Sequence, residues 1–135
     1  MSTRSRMPYR FTLLRVVPHV HLGAFSNVGV VLYARTAEYL ALRAIADVAV
    51  LRALAPDVDI DLLTRYLRCY EGICNGDGAA GPIALLSRSE RFHWIAAPRS
   101  DVLQPSAVHE GVCLQPEAEV EELFQKFVRL PAPRG

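Results

Sequence analysis

The residues with the most chemistry to offer cluster in the last third of the chain. Arg99, Ser100, Asp101, Gln104, Ser106, His109 and Cys113 fall within residues 98–116, a stretch with three prolines and one glycine. Polar groups on loops held by a rigid scaffold are where binding and catalysis concentrate. Arg99 with Ser100 can hold an anion, and Gln104 and Ser106 can supply donors and acceptors. The plainer alternative is a surface connection whose polar groups satisfy their own backbone. Asn27, at the start of a strand-like run, can hydrogen-bond the turn before it. Cys113 with His109 and Glu110 is the one local grouping of a thiol, a base and a carboxylate, the ingredients of nucleophilic catalysis.

Metal and phosphate signatures are weak. Zinc sites announce themselves by paired ligands at short spacing. The pairs here are His109-x3-Cys113, Cys69-x4-Cys74 and His19-x-His21. On one helix, Cys69 and Cys74 would stand roughly 140° apart around the axis and could not share an ion. The glycines at 76, 78 and 81 lack the Lys-Ser/Thr of a phosphate-binding loop, and no nucleophile elbow occurs. The run Gly23 to Gly29 leads into a strand and not a helix, which excludes a dinucleotide fingerprint. No catalytic residue, metal or cofactor is assigned.

The elements that must position these residues follow from periodicity. Residues 9–17 read as a strand whose apolar side switches between Leu13 and Leu14, a sign of a bulge or of burial on both faces. Residues 28–34 are a near-continuous apolar run, as in a strand covered on both faces. Residues 38–45 alternate. The links between these runs are short, so the neighbours are antiparallel and form a three-stranded meander. Asp47 caps a helix over 48–54, and Asp59 caps a second over about 60–74, closed by Asn75-Gly76. Residues 91–97 alternate as a strand would, and 98–116 have room for one or two short edge strands. A last helix starts at Pro116 or Glu117, with glutamates crowding its first turns. The order argues for an α+β protein: a mostly antiparallel sheet with helices packed on one face.

The chain has 135 residues, 51% of them hydrophobic and 21% charged, and a net charge of +1. This fits one domain over 1–135, with a core over about 9–128 and flexible ends at 1–7 and 131–135. Met7 offers an alternative start. Three cysteines, an odd count with no secretory signal, argue for reduced thiols and a cytoplasmic protein. No apolar run is long enough to cross a membrane. The first 35 residues hold five Arg and no acidic residue. That asymmetry suggests a nucleic-acid binder, but an Arg-favouring genome explains it more simply, so nucleic acid is not the expected partner. No pattern demands an oligomer.

Two segments together resemble the bacterial domain-of-unknown-function family 3037. One is Leu14-Arg15-Val16-Val17-Pro18 followed by Gly23, Phe25 and Asn27 to Leu32. The other is Arg91-Phe92-His93-Trp94, then Ala97 to Ser100, Gln104-Pro105-Ser106, His109, Gly111 and Cys113. The likeness spans about residues 9–128. Ala24 stands where the family pattern commonly has Glu, and Asp101 where it has Thr. The resemblance implies no established activity. It implies an accessory role beside kinase-like proteins of the HipA type, and it adds weight to Arg99, Ser100, Gln104, Ser106 and His109. The expectation is therefore a small, non-catalytic, protein-binding module. The alternatives are an enzyme on an anionic or phosphorylated substrate through His109 and Cys113, and a nucleic-acid binder through the N-terminal arginines.

Overall fold

The computed structural model describes residues 5–17, 25–99 and 101–128. Three antiparallel strands open the chain: β1 (Met7–Val16), β2 (Ser26–Ala34) and β3 (Tyr39–Ala44). Helices α1 (Val48–Leu54), α2 (Ile60–Asn75) and α3 (Arg88–Ala96) follow, with two 3₁₀ turns between α2 and α3. Strands β4 (Leu103–Pro105) and β5 (His109–Cys113) precede α4 (Pro116–Phe127). The open sheet runs β3-β2-β1, and its fourth lane is shared. β4 pairs with the end of β1, and β5 pairs with its beginning.

The α+β class and the antiparallel meander are as the periodicity predicts. The layering is not. Strand side chains alternate between faces. Phe11 packs on Phe127 (5.9 Å between ring centroids), and the Tyr9 hydroxyl donates to Glu119 (2.6 Å), so α4 covers the face carrying Tyr9, Phe11, Leu13 and Leu32. Tyr33 stacks on Phe92 of α3 (5.6 Å) from the opposite face. Leu40 and Leu42, paired with Tyr33 and Val31, share that face, where α2 packs on β3. Helices therefore lie on both faces, not one. The physical reason was present in the apolar run itself. Val28, Val30, Val31, Leu32 and Ala34 are all fully buried, which a single helical layer cannot achieve.

Leu13 and Leu14 are buried together for the same cause. A bulge also exists there, but its extra residue is on β2: Leu14 pairs with Gly29 and Arg15 with Asn27, leaving Val28 unopposed. Gly29 also meets β3 closely, since a Cβ there would lie 3.1 to 3.3 Å from Leu42, Ala44 and the Arg43 carbonyl.

The second correction is residues 91–97: 91–96 are the end of a helix and Ala97 is its extended C-cap. Ser87 accepts from the Glu90 N–H and Glu90 returns the bond to Ser87, completing a capping box. Phe92 and Ile95 are the buried helical pair, three residues apart. Arg91 is buried with them. Its guanidinium donates to the Ile73, Cys74 and Leu86 carbonyls at 2.8, 2.9 and 3.0 Å. It thereby satisfies the C-terminal end of α2, where Gly76 adopts the left-handed cap conformation (φ 69°).

Candidate functional site

The sequence-based candidates divide by what holds them. Arg99 stacks over Trp94 (4.2 Å) and donates to the Tyr70 hydroxyl (2.9 Å), the Ala97 carbonyl (3.3 Å) and the Trp94 carbonyl. Its fork is engaged within the α2–α3 layer. Ser106 is buried between β4 and β5. Its Oγ accepts from the Leu13 N–H (2.9 Å), and its N–H and carbonyl bond to Leu13 and Thr12 of β1. It fills the gap in the ladder where the shared lane changes strand. The Gln104 amide donates back to the Asp101 carbonyl (3.0 Å), and the Asp101 carboxylate accepts from the Val102 N–H (2.9 Å). Asn27 donates to the Phe127 carbonyl (3.0 Å), tying the start of β2 to the end of α4. Ser100, with Gly23 and Ala24, lies outside the described residues.

His109 and Cys113 both face α4, yet they are four residues apart on one strand, about 13 Å at strand rise. Proton transfer between them is out of reach. His109 is exposed and packs on Phe11 (5.2 Å). Cys113 is buried. Burial first, and the carboxylates of Glu119 and Glu117 next, push its thiol above the usual range, away from nucleophilic use. The Tyr9 phenol is raised as well, by burial and then by the Glu119 carboxylate that accepts its hydrogen bond. Tyr9 crosses directly over Gly111, where a Cβ would fall 2.5 Å from the phenol oxygen; only glycine leaves it room. Arg99 joins the α2–α3 layer and His109 the α4 layer, so the two do not meet.

The structure opens a different place. On the α3 face, where the sheet extends beyond the helix, a groove of about 720 Å³ runs between β1, β2, β5 and α3. It is lined by two cations, Arg10 from β1 and Arg35 from the turn after β2, and by the His93 imidazole of α3. Arg10 and Tyr33 are cross-strand partners, and Arg35 follows Tyr33 by two residues, in the turn that closes β2. Both arginines are exposed and line the same groove. Glu110, opposite Arg10 on β5, forms a loose pair with it at 3.6 Å, the side chains 52% and 74% exposed. His93 Nδ1 lies 2.7 Å from the Ser89 carbonyl. A carbonyl only accepts, so Nδ1 carries the hydrogen and Nε2 is the nitrogen left over for other partners.

Beside the groove, β5 pairs with β1 on one edge, and among the described residues its other edge has no strand partner. Val108, Val112 and Leu114 are exposed along it, Val112 at 58%. Among the described residues, no three His, Cys, Asp or Glu side chains are placed to hold a metal ion, and no helix is long and apolar enough to cross a membrane.

A family model described as "Protein of unknown function (DUF3037)" matches residues 11–128, most of the chain. The chain belongs to this family. No curated protein and no solved structure matches it. In this DUF3037 chain, Arg91, Arg99 and Ser106, which the resemblance brought forward, are bound up in holding the fold. Arg10, Arg35, Tyr33 and Ser89 of the groove escaped sequence reasoning. The signal for the two arginines was the acid-free N-terminal third, but what they face depends on tertiary packing that the sequence does not print, and Ser89 left no signal.

Proposed function

We propose that the protein is a non-catalytic binding module that takes an extended segment of a protein partner along the open edge of β5, beside the arginine groove. One observation carries this reading. Among the described residues, a sheet edge without a strand partner, exposed apolar side chains and two exposed arginines coincide at one corner of the sheet. Edge strands present a row of unsatisfied N–H and C=O groups, which proteins ordinarily cover or blunt. An added strand satisfies them, and side-chain contacts supply specificity. The exposed Glu110 and the short length of β5 guard against indiscriminate pairing.

An accessory role beside a kinase-like protein fits such a module and rests on the family resemblance. The three cysteines are unpaired thiols, which supports a cytoplasmic home. The test is photo-cross-linking in the native host, with a photoreactive residue at Val112 and a control at Arg65 on the exposed side of α2. The expected result is one protein joined at 112 and absent from the 65 control. Equal, diffuse labelling at both positions would remove the docking edge.

A further inference from the structure

We propose that the Arg10–Arg35–His93 end of the groove is an oxyanion subsite that receives a phosphoryl group carried on the docking segment of the partner. The proposal deepens the binding-module reading and rests on it for the identity of the occupant. Arg10 from β1 and Arg35 from the turn after β2 line the same groove, and two long guanidinium arms there can reach one anion. Neither is tied up as Arg91 and Arg99 are. His93 adds Nε2, and the Tyr33 and Ser89 hydroxyls line the same groove.

The choice of phosphoryl over carboxylate follows from Glu110. Arg10 already has a carboxylate beside it, held loosely in solvent. A second monoanion would only exchange with the first. A phosphate carries up to two negative charges and three acceptor oxygens, enough for Arg10, Arg35 and His93 together. The choice of a protein carrier follows from the surroundings. The groove adjoins an open strand edge and exposed valines. Tyr33, an aromatic ring of the groove, already has one face committed to Phe92, which leaves less ring for a nucleobase to stack on.

The test is an amide NMR titration of the full chain with N-acetyl-phosphoserine amide at constant ionic strength, beside sodium acetate and a short single-stranded DNA. The expected result is a saturable shift confined to Arg10, Tyr33, Arg35, His93 and their neighbours. Arg35→Gln should weaken it about tenfold, as loss of one charge-assisted partner does, with the rest of the spectrum unchanged. An equal response to acetate, or one indifferent to Arg35→Gln, would overturn the phosphoryl site. Tighter binding of the DNA at the same residues would overturn the protein carrier. The Val112 cross-link reads the docking edge separately. A phosphoserine response without that cross-link supports the oxyanion site and overturns its protein-borne occupant. A cross-link with no phosphoserine response overturns the subsite and leaves the docking edge standing.

Discussion

Arg91 and Arg99 have their guanidinium groups folded into the protein, whereas Arg10 and Arg35 hold theirs over an open groove. Arg91 donates to three carbonyls, and Arg99 donates to a phenol and two carbonyls while stacked on an indole. Arg10 has one loose carboxylate neighbour. The residue type is the same, but what each can recognise is not. A guanidinium whose donors are all engaged inside contributes to stability. One left among exposed groups contributes almost nothing to stability and is available to a ligand.

The sharpest way to break this comparison is Arg91→Ala. It would leave the buried Cys74 carbonyl without its donor, leave Ile73 only the Gly76 N–H and remove the bond to Leu86, a loss of about 3 kcal/mol in a denaturant titration. A loss under about 0.5 kcal/mol, the range of ordinary surface changes, would mean water replaces the side chain and the contrast fails. Ser106→Ala comes next. The Leu13 N–H would lose its buried acceptor, and destabilisation of about 1–2 kcal/mol is expected, read by thermal and denaturant unfolding.

Arg43 stands between the two groups, with its Nε 2.6 Å from Glu121 and its head over Phe124 while both side chains stay near half-exposed. The hydrogen bond from Arg43, and then the one from Gln125, hold the Glu121 carboxyl below its ordinary value of 4.5. The folded value lies below the unfolded one. The contribution is therefore complete above the ordinary carboxylate range and is lost as pH falls through the lowered value. Arg43→Met should flatten the acid limb of the stability profile by about 0.5 kcal/mol, a size limited by solvent screening. The smallest effect is expected for Arg35→Gln, within about 0.5 kcal/mol of the wild type. A larger loss would move Arg35 to the structural group.

Much of the fold was legible. The meander, the Asp47 and Asp59 caps, the Gly76 stop and the Pro116 start were written in local chemistry, where one residue's side chain decides its own neighbourhood. Residues 91–97 were misread because nine helical residues give too few turns to separate a three-residue period from an alternation. Phe92, Trp94 and Ala96 satisfy the alternation, while the helical face is carried by only two residues, Phe92 and Ile95. The capping box was the better guide. The second helical layer was signalled by the unbroken apolar run 28–34, which reads as a strand covered on both faces, but the order of elements alone suggests helices on one face. The site was least legible. Arg99, Gln104 and Ser106 are polar residues in an irregular segment, the usual mark of function, yet here Arg99 ties into the α2–α3 layer, Gln104 closes its own loop and Ser106 completes a split edge lane. Arg10, Tyr33, Arg35 and Glu110 are neighbours only through strand register, which no local pattern reveals.

The most direct test combines both halves of the comparison in one sample: the Val112 cross-link in the native host with the Arg10→Gln/Arg35→Gln double variant, its unfolding midpoint measured alongside. The account predicts an unchanged midpoint and loss of the joined partner. A partner captured as efficiently as by the wild type, or a double variant that unfolds early, would contradict it.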